Sequence, residues 1–122
     1  MAKHLETGKH GEELALELLV SKGFKILETN WRYRRSEVDI IAKEGEVLVF
    51  IEVKTRSFDY FGRPETFVDK KKEKLLALAA SEYMRLTGHE WAIRFDVVSV
   101  LLKNENEWVV EHLPDAFFPG MG

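Results

Sequence analysis

Glu46-Val-Leu-Val-Phe-Ile-Glu-Val-Lys-Thr-Arg56 is the most restrictive stretch of this chain. Its first half is β-branched and aromatic, as in a long buried strand. Its second half carries Glu52, Lys54 and Arg56 at every second position. Strand side chains alternate between faces. Leu48, Phe50, Glu52 and Lys54 therefore share one face, and Val47, Val49, Ile51 and Val53 the other. Charges in such a strand need a reason, because burying them unpaired is costly. Just upstream, Ser36-Glu-Val-Asp-Ile-Ile-Ala42 is a second apolar strand, with Glu37 and Asp39. Lys43-Glu-Gly45 between the two is a hairpin signal.

An even loop, for example Glu44-Gly45, sets Lys43 against Glu46, Asp39 against Phe50 and Glu37 against Glu52. Glu37, Asp39, Glu52 and Lys54 then emerge on one face. Asp39 and Glu52 become diagonal neighbours, with backbones about 7–8 Å apart. A slip of one residue would separate them to opposite faces. Two carboxylates at that span suit Mg²⁺ or Mn²⁺, which takes oxygen ligands and keeps some of its waters. The Val53 carbonyl lies between Glu52 and Lys54 and completes a half-shell of oxygens. A cation there would activate water and offset phosphate charge. Lys54 would orient or deprotonate that water, or stabilise the pentacovalent phosphorus. Glu-X-Lys alone is common by chance; its place after an Asp-bearing strand and a hairpin turn gives it meaning. The competing reading is an edge hairpin whose charges face solvent.

The remaining elements follow from periodicity. Glu12 to Lys22 reads as a helix closed by Gly23. Glu12 and Glu13 fall in its first turn, where the helix dipole favours anions; Glu12, beside the apolar face, is the one placed to point inward. Phe24 to Trp31 reads as a short strand. Arg32, Arg34 and Arg35, interleaved with Trp31 and Tyr33, form either a solvated basic turn or a grip on a phosphodiester backbone. Residues 57–69 are a long connection containing Arg63, either packed over the sheet or contacting a substrate or second subunit. Lys70 to Leu86 is the strongest helix. Leu75, Leu76, Ala79, Tyr83 and Leu86 form its core stripe, and Lys72 extends that stripe toward the sheet. Two β-rich runs follow, Trp91 to Leu102 and Glu107 to Leu113, with Asp96 and Arg94 sharing a face as a structural pair.

A chain of 122 residues is one domain, 1–122, with room for one core. No run approaches the roughly 20 apolar residues of a membrane span, and no apolar leader opens the chain. There is no cysteine, which excludes disulfides, thiolate nucleophiles and cysteine-bound zinc. Together these give the expectation of a cytoplasmic protein with no membrane partner. The net charge of −3 argues against tight non-specific nucleic-acid binding, but residues 31–74 carry 11 Lys and Arg against 9 Asp and Glu. The four histidines lack metal-ligand spacing, and no phosphate-binding glycine loop is present.

Gly8-Lys-His-Gly-Glu-Glu-Leu-Ala15, Gly23-Phe24, Asn30-Trp-Arg32, Glu37-Val-Asp-Ile-Ile41, Phe50-Ile-Glu-Val-Lys-Thr-Arg56, Lys72 and Arg94-Phe-Asp-Val-Val98 resemble, in this order, the bacterial YraN family. That family resembles the PD-(D/E)xK nucleases, particularly archaeal Holliday junction resolvases, and the tRNA-endonuclease-like fold. The resemblance implies an α/β, restriction-endonuclease-like core: a mixed four- to five-stranded sheet flanked by helices. It matches Glu12 to the helix-one acid, Asp39 to the metal aspartate, Glu52 to the second carboxylate and Lys54 to the motif lysine. Glu37 and Arg56 match positions of less defined role. Val38 stands where the motif's proline would be. The expected activity is metal-dependent endonucleolytic hydrolysis of structured or branched DNA. Arg32, Arg34, Arg35, Arg56, Arg63 and Lys72 would contact nucleic acid, and a homodimer is expected of a resolvase. The alternatives are a non-catalytic nucleic-acid-binding module and a protein-interaction domain on the same fold, since fold and motif do not settle function.

Overall fold

The computed structural model describes residues 2–57, 69–104 and 106–118, with side chains from His10 onward. Seven elements follow one another: α1 (Ala2–Ser21), β1 (Lys25–Tyr33), β2 (Ser36–Glu44), β3 (Val47–Ser57), α2 (Lys70–Thr87), β4 (Ile93–Asn104) and β5 (Glu107–Leu113). The strands form one mixed sheet in chain order, β1-β2-β3-β4-β5. Only β3 and β4 run parallel, with α2 on the crossover between them; the other pairs are antiparallel. This is the expected α/β architecture.

The sheet separates two apolar clusters. Ala15 and Leu19 of α1 pack on Ile40, Ala42, Val49, Ile51, Val98 and Val100. Leu76, Ala79, Ala80 and Tyr83 of α2 pack on Ile41, Leu48, Phe50 and Phe95. The alternation read along β3 is thus observed, with its even positions toward α2. Among the described residues no helix is long and apolar enough to cross a membrane.

Three local expectations change. α1 begins at Ala2, so Glu12 lies mid-helix and the first-turn explanation of its charge falls away. Gly8 and Gly11, both outside the helix as read from Glu12, are helical, and Gly11 has a packing reason. A Cβ there would run into Thr55 Oγ1 and lie 2.9 Å from Thr55 Cγ2, so glycine lets α1 touch β3. The helix ends as expected: the Gly23 N–H donates to the Val20 carbonyl at 3.0 Å and the Phe24 N–H to the Leu19 carbonyl at 3.0 Å. That is the Schellman pattern.

The hairpin loop is also even, but it is Gly45-Glu46 rather than Glu44-Gly45. Gly45 takes φ 61 at the first loop position, which a two-residue turn of the II′ kind requires and glycine supplies freely. The pairing is shifted by two residues, with Ile41 rather than Asp39 opposite Phe50. The third change concerns β1, read as ending at Trp31, which extends to Tyr33 and takes in Arg32, so of the turn or strand end read for residues 32–35 the strand end holds for the first two.

Candidate functional site

The β2–β3 ladder runs from the turn to Ile40 opposite Ile51. One step further, the same register brings Asp39 directly opposite Glu52, closer than the diagonal relation expected. There a side chain replaces the ladder: the Val53 N–H donates to Asp39 Oδ2 at 2.8 Å. β1 is irregular at the same level. Thr29 lies opposite Ile40, and Trp31 opposite Val38. Ile40 belongs to the α1-side core, whereas Val38 and Trp31 belong to the α2 side. Residues two apart on a strand ordinarily share a face. The ribbon therefore changes face across the Asn30–Asp39 level, and Glu37, Asp39 and Ile41 do not line one continuous face as alternation implied. Asn30 has φ 51, a left-handed conformation that only a few per cent of non-glycine residues adopt. Its Nδ2 donates to Glu12 Oε1 at 2.7 Å. The face change thus brings a residue of α1 toward a site on β2 and β3.

Glu52 is 2% exposed. Neither carboxylate oxygen accepts a hydrogen bond of normal geometry from a described residue. Its charge is met instead by lysines: Lys72 Nζ pairs with Oε2, and Lys54 Nζ stands 3.9 Å from the same oxygen. Burial, followed by the neighbouring Glu52 carboxylate, pushes the Asp39 carboxyl well above the usual aspartate range; the Val53 N–H and Lys72 pull the other way. Burial also raises Glu12. The Asn30 hydrogen bond opposes that rise, while the charges of Asp39 and Glu37 add to it. The arrangement is short of positive charge, as expected for adjacent carboxylates in a dry setting.

A hard divalent cation suits this donor set, since Mg²⁺ typically uses one or two carboxylates and fills its shell with waters and phosphate oxygens. The Glu52 oxygens, which accept no hydrogen bond from a described residue, fit that demand beside Asp39. Among the described residues no group of three or more His, Asp or Glu side chains converges closely enough to hold a metal ion. The fit therefore rests on Asp39 and Glu52, with Glu12 held to one side by Asn30.

A cleft of about 450 Å³ opens beside Asp39, between the start of β2 and the first turns of α2. Arg35 and Lys72 both line it. The other expected nucleic-acid residues scatter. Arg32 pairs with Glu37 at 2.8 Å, which gives Glu37 a partner. The Arg34 guanidinium lies over the Tyr33 ring, 5.2 Å from its centroid. Arg56 Nη2 is 3.4 Å from Ser99 Oγ. Arg63 lies outside the described residues. Sequence reasoning gave no role to Asn30 or Ser36; neither φ 51 nor an unpartnered hydroxyl leaves a mark in composition or period.

A second polar cluster is structural. Asp96 is wholly buried and accepts both Arg94 Nε and Nη2 at 2.8 Å, His112 Nε2 at 2.7 Å and the Asp115 N–H at 2.9 Å. Burial pushes the Asp96 carboxyl up, but Arg94, the Asp115 N–H and His112 outweigh it and hold it below the usual range. Lys22 Nζ, just past the end of α1, meets His112 Nδ1 on β5. The expected Asp96–Arg94 pair is present, with His112 as a partner not read from sequence.

Fold and site define an α/β domain in which buried Glu52 meets partly buried Asp39, Lys54 and Lys72 where a hairpin ladder stops. The chain belongs to the uncharacterised protein family UPF0102, whose family model matches residues 11–100; this is the YraN family that its motifs resemble. It is 46% identical over 118 residues to a UPF0102 protein of Flavobacterium psychrophilum, covering 97% of this chain and 98% of that one. It is 47% identical over 118 residues to one of Christiangramia forsetii, covering 97% and 98%. Against one of Rhodococcus jostii the figures are 43% over 118 residues, covering 96% and 100%.

Proposed function

We propose that this chain is a Mg²⁺- or Mn²⁺-dependent endonuclease that hydrolyses phosphodiester bonds in branched or otherwise structured DNA. The observation that carries this reading is the partly buried Asp39 beside the buried Glu52, whose oxygens accept no hydrogen bond from a described residue, at the edge of a cleft that also holds Arg35 and Lys72. Asp39 and Glu52 would hold the cation, with the Val53 carbonyl and Glu12 as further candidate oxygen donors. When bound, the cation supplies Lewis-acid polarisation and charge neutralisation at a phosphoryl oxygen. Lys54, beside Glu52, holds and orients water and faces charge that grows on the phosphate. Asn30 fixes the position of the Glu12 carboxylate through its 2.7 Å hydrogen bond. A homodimer would be needed for paired cuts on a symmetric junction.

The test is incubation with junction, flap and single-stranded DNA in Mn²⁺ and in EDTA. Cleavage that needs Mn²⁺ and vanishes in Asp39→Ala supports the reading. No cleavage of any substrate, or cleavage unchanged in Asp39→Ala, overturns it. The Lys72–Glu52 ion pair favours one second reading, a binding module in which a lysine stands where the cation would be. That reading requires salt-sensitive DNA binding that survives Glu52→Ala, without turnover.

A further inference from the structure

Ser36, the first residue of β2, is 6% exposed, and its Oγ has no hydrogen-bond partner among the described residues. Burying a hydroxyl unpaired is destabilising, so such a group invites an explanation. Ser36 lies in the wall of the cleft of about 450 Å³, with Arg35 before it and Lys71 across from it on α2.

The charges lining that cleft divide into committed and uncommitted groups. Glu37 is taken by Arg32 at 2.8 Å, Asp39 by the Val53 N–H at 2.8 Å, and Asp69 by the Lys72 N–H at 2.8 Å, as the N-cap of α2. Lys72 is taken by Glu52. Arg35 and Lys71 have no acidic partner among the described residues. What remains is one hydroxyl donor, one guanidinium, one ammonium and the positive end of an 18-residue helix. All of them suit an oxyanion, and a guanidinium suits phosphate oxygens in particular.

Building on the nuclease reading of the Asp39–Glu52 pair, we propose that this cleft is a phosphate subsite. Ser36, Arg35 and Lys71 seat one phosphate of a nucleic-acid strand. Ser36 is three residues from Asp39, about 10 Å along an extended strand. The seated phosphate is therefore a flanking one, not the phosphate that reacts. The subsite fixes where along the strand the carboxylates act. The unpartnered hydroxyl is then a group that gains its hydrogen bond only when a strand is bound.

This gives Ser36 a signature that a structural serine would not show. Ser36→Ala should raise the melting temperature of the free protein, because it removes a buried unsatisfied hydroxyl. The same change should weaken binding of a labelled short single-stranded DNA about tenfold, measured by fluorescence anisotropy in EDTA. Lys71→Gln should lower the salt dependence of that binding by about one phosphate contact. Ser36→Ala binding equal to wild type, or a lowered melting temperature, overturns the subsite. Thermal protection by inorganic phosphate with no affinity for the oligonucleotide overturns its assignment to a strand. Cleavage in Mn²⁺ is scored separately. Weakened Ser36→Ala binding without any cleavage keeps the subsite and removes the nuclease reading. Intact cleavage with unchanged binding removes the subsite alone.

Discussion

Replacing either partner of the Glu52–Lys72 pair should move stability in opposite directions. Glu52 is 2% exposed and lacks hydrogen bonds of normal geometry from described residues, so its charge depends on Lys72 and, at 3.9 Å, Lys54. Removing one partner of a fully buried pair costs about 3–5 kcal/mol. Lys72 is 40% exposed and Lys54 stays in place, so Lys72→Met should cost less, about 2 kcal/mol. In a chain of this size that lowers the melting temperature by about 6–10 °C. Glu52→Gln removes the charge and keeps the shape, and should leave stability unchanged or raise it by about 1 kcal/mol. The double variant should lie close to Glu52→Gln, because Lys72 then has no buried charge to offset. The assay is urea and thermal unfolding of all four proteins in EDTA, read as a double-mutant cycle. Additive effects, or a loss above about 1 kcal/mol for Glu52→Gln, would refute the argument that this carboxylate is held against its own electrostatics.

Four further outcomes are expected. Asp96 is held below the usual carboxylate range, so its contribution is present above the ordinary aspartate value and is lost as pH falls through the lowered one. Stability should therefore drop steeply below about pH 4, with a shallower slope in Asp96→Asn; equal slopes in denaturant titrations would contradict this. Gly11→Ala should cost about 1–3 kcal/mol through its clash with Thr55, and Thr55→Ala in the same chain should recover most of the loss; no recovery would place the strain elsewhere. At Asn30, with φ 51, glycine should be more stable than alanine by about 1 kcal/mol, and the reverse order in melting experiments would rule out backbone strain. A further binding check is thermal: Mn²⁺ at 100-fold excess over its dissociation constant should stabilise wild type by about 2.7 kcal/mol, and Asp39→Asn by much less.

Much of the fold was legible because it is written in periodicity. The even positions of β3 face α2 and the odd ones face α1, as alternation required. Lys72 was placed on the inward stripe of its helix, and there it meets Glu52. The hairpin was read with the correct parity but shifted by two residues, because Glu44-Gly45 and Gly45-Glu46 are both plausible loops and only the conformation of Gly45 separates them. The first helix was started ten residues late, at Glu12, because glycine disfavours helix and positions 8 and 11 are glycines, while the contact that favours glycine at position 11 comes from Thr55, far along the chain. Asn30 was invisible for a different reason. Strand propensity speaks for regular runs, and what matters at Asn30 is a single departure from regularity.

The sheet is ordered as the chain is ordered, and that has a kinetic consequence. The pairings β1–β2, β2–β3 and β4–β5 are local hairpins that can close within microseconds. The parallel β3–β4 pairing must wait for a loop that contains α2, and such non-local closure is the slow step. Asp39 and Glu52 come together in the fast hairpin, whereas Lys72 arrives with the crossover. During folding the two carboxylates therefore meet with Lys54 alone beside them, before Lys72 arrives. On the proposed metal-dependent reading, a divalent cation present at that moment would speed closure of the hairpin, whereas one added afterwards would act only on unfolding.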